Sequence, residues 1–384
     1  MQAQKAEGTR DLIGAEMRAW QKMQQIAAGV FEPFGFKPIE TPAIEQVDVF
    51  VHGIGQSTDV VRKEMFRVFS GANLERVFTE GTDPRILEAS ARLLSGTFLT
   101  PILIGNEQAI QEAAEEAGFN IRGAIIIDPD NYEKMDEMVA RMVELRKGKM
   151  IEEDCRAALK KGNYFGTMLV AMGEADALLG GATYSTADTV RPALQLVKTK
   201  PGNKIVSSCF ILVRPSATGD NDVLAMADCA INIKPTEDEL VEIASETVDC
   251  AKIFGIDPKV AFLSYSTLGS GKGEDVDKMR NACEKAKAAM PDVPVDGEFQ
   301  FDAAVSPVVA KTKHITSSVG GHANTFIFPD INAGNIGYKI CQRMGNFDAY
   351  GPILQGLNAP INDLSRGCNA DEVYKMSLIT ACQS

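Results

Sequence analysis

Four widely separated arginines are the residues of this sequence with the clearest chemical meaning. Each lies among small or turn-forming residues: Thr-Asp-Pro-Arg at Arg85, Arg-Lys-Gly-Lys at Arg146, Thr-Val-Arg-Pro at Arg191 and Leu-Ser-Arg-Gly at Arg366. A guanidinium group binds phosphate oxygens through two parallel hydrogen bonds, and small neighbours let the backbone approach the same anion. Taken alone, each arginine is better explained as an ordinary surface or ion-paired residue. Together they favour a phosphate or polyphosphate ester as ligand.

Other catalytic patterns are missing from the sequence. The three histidines, His52, His314 and His322, have no partner at metal-binding or triad spacing. Ser365 lies in Asp-Leu-Ser-Arg-Gly and not in the Gly-x-Ser-x-Gly turn of hydrolases. The eight cysteines contain no Cys-x-x-Cys pair. The absence of these patterns argues against a Ser-His-Asp hydrolase and against a zinc or redox motif.

A glycine-rich run, Gly269–Gly273, follows a strand pattern and precedes a helix pattern. Backbone amides at such a junction can bind phosphate. The run is not a Walker loop, because Ser266 stands where the first glycine is needed and Gly273 replaces the residue that holds magnesium. A plain loop and a phosphate contact are therefore both open.

Length and charge limit the classes of protein and partner. A chain of 384 residues makes two or three domains, and its formal charge is 39 − 52 = −13. An acidic protein repels nucleic acid and anionic membranes, so we expect neither as a partner, whereas a few arginines can still bind a small anion. No apolar run reaches the length of a bilayer span, and the first residues do not resemble a signal peptide. With its unpaired cysteines, the chain is expected to be cytoplasmic.

Short β-rich runs alternate with longer amphipathic stretches from about Arg76 onward. The runs are Thr100–Gly105, Gly123–Asp128, Lys204–Val213 and Lys259–Tyr265. This alternation predicts an α/β architecture with largely parallel sheets.

One helix is predicted in detail. Thr236 and Glu239 form a capping box, an apolar stripe from Leu240 to Ala251 follows, and Gly255 ends the helix.

Taken together, these segments resemble phosphate acetyltransferase (phosphotransacetylase) from Arg76 to Ser384. The matching motifs are Glu80–Arg85, Asn163–Met168, Ser185–Gln195, Asp296–Ala304, Gly321–Asn324, Gly334–Lys339 and Leu364–Cys368. The resemblance implies reversible acetyl transfer between coenzyme A and inorganic phosphate, with acetyl phosphate as the other acyl carrier. It also implies no metal and no tightly bound cofactor, coenzyme A or acetyl-CoA being a substrate.

The resemblance further implies a homodimer and two α/β domains with an inter-domain cleft, as in isocitrate and isopropylmalate dehydrogenases. On this basis domain I comprises residues 76–203 and 352–384, and domain II, residues 204–351, is inserted into it.

The family pattern also suggests roles for the residues. Arg366 holds the phosphate, with Arg146 and Arg191 supporting it and Arg85 as a further substrate-binding residue. Ser365 donates a hydrogen bond to the oxyanion that develops on the carbonyl. A carboxylate takes the proton of the coenzyme A thiol, so no covalent enzyme intermediate is needed.

The carboxylate departs from the family pattern. The acidic residue seven positions after the serine is usually Asp in the family, whereas here it is Glu372, with Asp371 before it. We predict Glu372 as the base, and Asp371 remains the alternative. Asn369 and Glu372 also form a capping box, so a purely structural role for Glu372 is a further reading.

Four more residues are expected at the site from the resemblance. His322 and Asn324 are predicted to line the cleft wall, and Ser185 and Thr186 to donate hydroxyl hydrogen bonds to the acyl phosphate. Cys368 follows Arg366 closely but has no base next to it in sequence, so we interpret it as a packing residue.

The first 75 residues follow a different pattern, and we expect a short α+β extension there. They resemble the start of histidyl-tRNA synthetase through Gly8–Leu12, Val30–Phe36, Ile39–Pro42 and Lys63–Phe66. The later synthetase motifs are missing, so this chain is not expected to aminoacylate tRNA. The synthetase also has a Glu-Gly-Thr-x-Pro stretch at the position of Glu80–Pro84, where we expect the chain to switch family.

Two other functions remain open at this point. A phosphate acyltransferase for a longer chain, such as butyryl, is one, because a single methylene is worth only about 1–3 kcal/mol of discrimination. A non-catalytic acetyl-CoA-sensing module is the other. Ser365 and Arg366 argue against it, whereas the Glu372 departure leaves it open.

Overall fold

A computed structural model describes residue 22 and residues 74–96, 99–215 and 221–383. The expectations for residues 1–73, including the synthetase-like motifs, lie outside the described part of the chain, apart from residue 22. The expected α/β class is confirmed, because the described residues form two sheets flanked by helices.

The first sheet is entirely parallel. Its strands are β1 (Glu75–Phe78), β2 (Thr100–Ile104), β3 (Ile125–Ile127), β4 (Ala177–Gly180) and β11 (Ile361–Asp363). They lie in the order β11-β4-β1-β2-β3. The chain turns back between β1 and β4, and ligands of open α/β sheets bind at such switch points, outside the carboxyl ends of the strands.

The second sheet is mixed. Its strands are β5 (Ser207–Pro215), β6 (Asn221–Ala227), β7 (Val260–Leu263), β8 (Val295–Phe299), β9 (Thr325–Ile327) and β10 (Asp348–Gln355). The order is β10-β5-β6-β9-β7-β8, and β5 pairs antiparallel with both β10 and β6. The expectation of largely parallel sheets therefore holds for the first sheet. It fails at the edge of the second sheet formed by β10, β5 and β6.

Helices cover both sheets. In chain order they are α1 (Pro84–Gly96), α2 (Glu107–Ala117), α3 (Met135–Arg146), α4 (Glu152–Leu159), α5 (Gly162–Ala171), α6 (Thr186–Pro192), α7 (Glu237–Ile253), α8 (Glu274–Ala289), α9 (Phe301–Val305), α10 (Pro307–Thr312), α11 (Ile331–Met344) and α12 (Ala370–Cys382). A single π-helical turn, Ala193–Val197, follows α6. None of the helices within the described ranges is long and apolar enough to cross a membrane.

Helix α7 confirms the detailed prediction for this segment. The Thr236 hydroxyl accepts a hydrogen bond from the Glu239 amide, and the Glu239 carboxylate accepts one from the Thr236 amide. Leu240, Ile243 and Ala251 are fully buried, as the apolar stripe requires. Gly255 follows the helix with a φ of +72°, a conformation that glycine adopts without strain.

One apolar core joins the two sheets. Phe78 of β1 and Leu103 of β2 belong to the same cluster of buried side chains as Ile211 of β5 and Phe262 of β7. Helix α12 packs against α1, β4 and β10, and so contacts both sheets. This arrangement places the start of α12 where elements of both sheets meet.

Candidate active site

The turn Ser365–Cys368 lies at the carboxyl end of β11. The Leu364 amide donates to Gly180 O at 2.7 Å, which continues the pairing of β11 with β4. The Cys368 amide then donates to Ser365 O at 2.9 Å and closes the turn. Ser365, Arg366 and Gly367 are exposed, whereas the residues on either side of them are buried. The turn thus presents a hydroxyl and a guanidinium on a fixed support.

A cavity of about 250 Å³ opens beside this turn. Its walls come from β10, from α11, and from the turn together with the start of α12. The lining residues are Phe210, Tyr338, Lys339, Gln342, Arg343, Ala349, Tyr350, Gly351, Pro352, Leu364, Ser365, Gly367, Cys368, Glu372 and Met376. The cavity therefore combines a serine, a carboxylate, two cations and aromatic walls.

The cations Lys339 and Arg343 were not among the residues predicted from the sequence. They lie four positions apart in α11, so both face the same side of that helix. Among the described residues, Arg343 forms no ion pair, and Lys339 Nζ donates to Asn335 Oδ1 at 2.9 Å. The lysine falls within the Gly334–Lys339 motif, but only the fold brings α11 beside the turn, so sequence spacing gave no direct signal for Arg343.

Glu372 lines the cavity and also caps α12. Its Oε2 accepts a hydrogen bond from the Asn369 amide, and its own amide donates to Asn369 Oδ1, both at 2.9 Å. Within the described ranges, Oε1 has no hydrogen-bond donor. Asp371 is engaged elsewhere: Lys375 and Arg92 lie 2.8 and 2.9 Å from its carboxylate oxygens and lower its pKa.

Arg85 supports the turn from behind. Its NH1 donates to Arg366 O at 2.9 Å and to Cys368 O at 3.1 Å. Its NH2 donates to Ala182 O at 3.0 Å, and Nε and NH2 both bind the Asp83 carboxylate. All five N–H groups of this guanidinium therefore have protein acceptors. Burial alone would raise the pKa of Asp83, but the hydrogen bonds from Arg85 outweigh it and lower that pKa.

Two carboxylates that sequence reasoning missed lie beneath the turn. Asp363, the last residue of β11, has only 1% of its surface exposed, and burial raises its pKa to about 6. Its oxygens accept hydrogen bonds from Thr186 Oγ1 at 2.6 Å and Thr189 Oγ1 at 2.5 Å. Burial likewise raises the pKa of Glu80, whose Oε1 accepts from the Gly181 and Thr183 amides at 3.0 and 3.1 Å.

Among the predicted site residues, Ser365 and Glu372 line the cavity, whereas Arg366, Arg85, Thr186 and the residues that follow here lie outside its lining. Ser185 Oγ donates to Asp188 Oδ2 at 2.7 Å, and Arg191, with 60% of its side chain exposed, lies 3.9 Å from Asp188 Oδ1. Arg146 ends α3 half-buried, and its Nε has no hydrogen-bond partner among the described residues.

His322 is exposed in the turn before β9. Asn324 ties together the amino ends of two strands, because its Oδ1 accepts from the Lys259 amide at 2.7 Å and its Nδ2 donates to Asp257 O at 2.9 Å.

The glycine-rich run Gly269–Gly273 is occupied from inside the protein. The Gly269 amide donates to Glu298 Oε1 at 2.7 Å, and the Gly271 amide donates to Ser266 Oγ at 2.8 Å. The first turn of α8 carries Glu274, Asp275 and Asp277, which repel a second anion. The structure therefore favours a plain loop here over a phosphate site. No cluster of three or more metal-ligating side chains is found in the described ranges.

Comparisons with known proteins identify the family of this chain. A model of the family "phosphate acetyl/butaryl transferase" matches residues 60–381, so the match begins upstream of Arg76. Phosphate acetyltransferase from Bacillus subtilis (strain 168) is 53% identical over 315 residues, which cover 82% of this chain and 96% of the relative. The Staphylococcus epidermidis enzyme of the same name is 48% identical over 320 residues, with the same two coverages.

Solved structures give the same result. A phosphotransacetylase from Streptococcus pyogenes is 52% identical with a TM-score of 0.78, covering 82% of this chain and 94% of that chain. EutD phosphotransacetylase from Staphylococcus aureus is 47% identical with a TM-score of 0.76, covering 82% and 95%. The fold is shared by a branched-chain phosphotransacylase from Enterococcus faecalis V583, which is 21% identical with a TM-score of 0.57. The comparison covers 81% of this chain and 98% of that chain. The chain therefore belongs to the phosphate acetyl/butaryl transferase family.

Proposed function

We propose that this protein is a phosphate acetyltransferase, which transfers an acetyl group reversibly between coenzyme A and inorganic phosphate. The observation that carries the proposal is the cavity in which Ser365 and Glu372 face Lys339 and Arg343, in a chain 53% identical to a phosphate acetyltransferase. Coenzyme A and acetyl-CoA act as substrates, and no tightly bound cofactor or metal takes part in the proposed reaction.

The reaction proceeds by direct attack of the thiolate. The coenzyme A sulfur forms a bond to the acetyl carbonyl carbon, the thiol proton passes to Glu372, and the C–O bond to phosphate breaks with its electron pair leaving on phosphate. Ser365 Oγ donates to the oxyanion that forms on the carbonyl, and Arg366 neutralises the phosphate. The products are acetyl-CoA and inorganic phosphate.

Glu372 serves both as helix cap and as base. Oε2 is held by the Asn369 amide, which fixes the carboxylate, while Oε1 is free among the described residues to take the thiol proton. The two readings of this residue are therefore compatible. Its extra methylene relative to aspartate is accommodated because the capping bond sets its position.

The cations divide into two groups. Arg366, Lys339 and Arg343 neutralise the acyl phosphate and the phosphates of coenzyme A close to the cavity. Arg146 and Arg191 are proposed to support Arg366 in holding the phosphate. The 60% exposure of the Arg191 side chain supports this role, and so does the Arg146 Nε, which has no hydrogen-bond partner within the described part of the chain.

The other predicted residues act mainly by support. Arg85 remains a predicted substrate-binding residue, but its saturated N–H groups favour anchoring of the turn over direct contact. Ser185 and Thr186 start α6 beside the turn. Because the Ser185 hydroxyl donates to Asp188 and the Thr186 hydroxyl donates to Asp363, these residues are proposed to act by placing the start of α6 beside the acyl phosphate and not as direct donors to it. His322, which is exposed, is proposed to contact substrate at the cleft wall, with Asn324 holding the neighbouring strands.

The test is acetyl-CoA formation from acetyl phosphate and coenzyme A by the purified full-length chain, followed by thioester absorbance. Turnover would support the proposal, and coenzyme A binding without turnover would favour the sensing module. Butyryl phosphate in the same assay tests the alternative of a longer acyl chain, and a higher kcat/KM for butyryl than for acetyl would overturn the acetyl assignment.

We also propose the domain organisation of the dehydrogenase-like fold, with residues 76–203 and 352–384 as domain I and residues 204–351 as domain II. Strand membership supports it, since β5 to β10 are inserted in the chain between β4 and β11 of the first sheet. Strand β10 extends to Gln355, slightly beyond the proposed boundary.

A homodimer is proposed from the exposed face of α11. Ile336, Ile340 and Met344 are spaced four residues apart and are 58%, 53% and 81% exposed. Three large apolar side chains in one row are a surface that a second copy of the chain would bury. Light scattering should give twice the chain mass, and Ile340→Lys should give the monomer mass.

For the N-terminal segment we propose a module similar to the start of histidyl-tRNA synthetase. The expected change of family at Glu80–Pro84 is placed too late, because the phosphate acetyl/butaryl transferase match already begins at residue 60. If it folds, Trp20 fluorescence is blue-shifted and lost cooperatively on unfolding, and a solvent-like signal would contradict the proposal. The free state of all eight cysteines supports a cytoplasmic location. The net charge of −13 supports the proposal that neither nucleic acid nor a membrane is a partner.

A further inference from the structure

We infer that Asp363 is a positioning residue that fixes helix α6 and the turn Ser365–Cys368 relative to each other. This inference rests on the proposed function, because the residues it positions are those assigned to acyl transfer. Asp363 lies two positions before Ser365 and has no direct access to solvent or substrate, since its side chain is buried.

The contacts of Asp363 reach one helix at two places. Its two oxygens accept hydrogen bonds from Thr186 and Thr189, which lie three positions apart on one face of α6. Because both oxygens of one carboxylate are engaged, the helix can neither slide nor rotate about a single bond. Ser185 and Arg191, at the two ends of this segment, are thereby held at a fixed distance from Ser365.

The surroundings of Asp363 are shaped to admit the carboxylate. A Cβ on Gly181 would lie 2.3 Å from Asp363 Oδ1, so only glycine permits this approach. Gly181 also has a φ of +102°, which other residues rarely adopt. The titratable groups facing Asp363 are Glu80 and Tyr184, and no cation pairs with it among the described residues.

A buried carboxylate without a cation is costly to the fold, so its presence is better explained by position than by stability. On the other side of the turn, Arg85 binds the carbonyls of Arg366 and Cys368. The turn is thus fastened before Ser365 by Asp363 and after it by Arg85. A misplacement of about 1 Å in such a site lowers the rate by about a hundredfold.

The experiment compares Asp363→Ala, Asp363→Asn and Thr189→Val with the wild-type chain. We expect Asp363→Ala to lower kcat by about a hundredfold with a smaller change in KM for coenzyme A, and Asn to recover about tenfold of this loss. Thr189→Val should lower kcat by about tenfold, because it removes one of the two bonds. The matched control is Thr247→Val, since Thr247 is a buried threonine whose hydroxyl donates to Ile243 O in the second sheet's helix α7.

Two readouts separate positioning from a general structural defect. In a Ser365→Ala background the loss caused by Asp363→Ala should shrink, whereas a defect independent of the turn would give additive losses. Hydrogen exchange of the amides of residues 365–368 should be faster in Asp363→Ala and unchanged in Thr247→Val, whether or not the enzyme turns over. Normal exchange and normal kcat in Asp363→Ala would overturn the inference. A wild-type chain without turnover would instead overturn the proposed function, and the exchange measurement would still decide the role of Asp363.

Discussion

The loop Gly269–Gly273 and the turn Ser365–Cys368 both follow a parallel strand, and both have a buried carboxylate beneath them. In the loop, the Glu298 carboxylate accepts a hydrogen bond from the backbone amide of Gly269. It also pairs with the guanidinium of Arg280, whose Nε lies 3.1 Å from Glu298 Oε2. In the turn, Asp363 accepts hydrogen bonds from threonine hydroxyls and pairs with no cation in the described ranges, and Ser365, Arg366 and Gly367 remain exposed. A glycine-rich loop is therefore closed to phosphate when the protein supplies its own anion.

The two carboxylates also differ in their effect on stability. Burial alone would raise the pKa of both, but Arg280 and the Gly269 amide outweigh burial at Glu298 and lower its pKa. At Asp363 burial prevails and the pKa is about 6. Glu298 thus stabilises the fold above the pKa of an unfolded glutamate, and this stability is lost on acidification. Asp363 has the opposite sign, because its protonation favours the folded state.

The largest expected effect is a difference in catalytic activity between variants of the turn Ser365–Cys368 and variants of the loop Gly269–Gly273. Arg366→Ala should lower kcat/KM for acetyl phosphate by about a thousandfold, since it removes the cation beside the leaving phosphate. Lys272→Ala, in the glycine-rich loop, should change it by less than about twofold because that loop is filled from inside. Thioester absorbance measures both variants, and equal losses would mean that the glycine-rich loop also binds substrate.

Removal of the internal anion should be the largest effect on stability. Glu298→Ala should lower the free energy of unfolding by about 3 kcal/mol, because it leaves the Gly269 amide and the buried Ser266 hydroxyl without their acceptor and removes the ion pair with Arg280. Urea denaturation at pH 7.5 measures the change. The deficit should narrow as the pH falls through the folded pKa of Glu298, and a deficit independent of pH would contradict the assigned sign.

A smaller effect concerns the base at the turn. Glu372→Gln should lower kcat by about a hundredfold, because the amide still caps α12 but cannot take the thiol proton. The kcat of Glu372→Asp should stay within about tenfold of the wild-type value. Asp371→Asn provides the check, because it should leave kcat within about tenfold of the wild-type value, and a loss of about a hundredfold in kcat in that variant instead would point to Asp371 as the base.

The last expected effect has the opposite sign, because it is a gain in stability. At pH 7.5 Asp363→Asn should raise the free energy of unfolding by up to about 3 kcal/mol, since the pKa of Asp363 is raised from its usual 3.8 to about 6. The gain should decline between pH 6 and pH 4, where the wild-type carboxyl is itself protonated. Asp371→Asn is the matched control, because that half-exposed, ion-paired carboxylate should give no gain. If Asp371→Asn also raised the free energy of unfolding, or if Asp363→Asn did not, the assigned difference in sign between Asp363 and Glu298 would be refuted.

The elements predicted best from the sequence are those fixed by local rules. Helix α7 begins at its capping box and ends before Gly255 because both signals act over a single turn. The antiparallel edge at β5 was missed, because an apolar run such as Lys204–Val213 does not record the direction of its partner strand.

At the site, the motif around Ser365 and Glu372 is continuous in sequence and could be recognised as a unit. Arg343 could not, since it reaches the cavity only through the packing of α11 beside the turn. Asp363 was also missed, because a carboxylate at the end of a strand is usually exposed, and nothing in the sequence shows that α6 covers it.

The core shared by the two sheets has a consequence for ligand binding. Phe78 and Leu103 contribute to the same apolar cluster as Ile211 and Phe262, so the sheets are expected to melt in one cooperative transition. A ligand held in the cavity at their meeting point then stabilises the whole unit through mass action. Coenzyme A would accordingly protect strands far from its contacts, including those at the outer edges of both sheets.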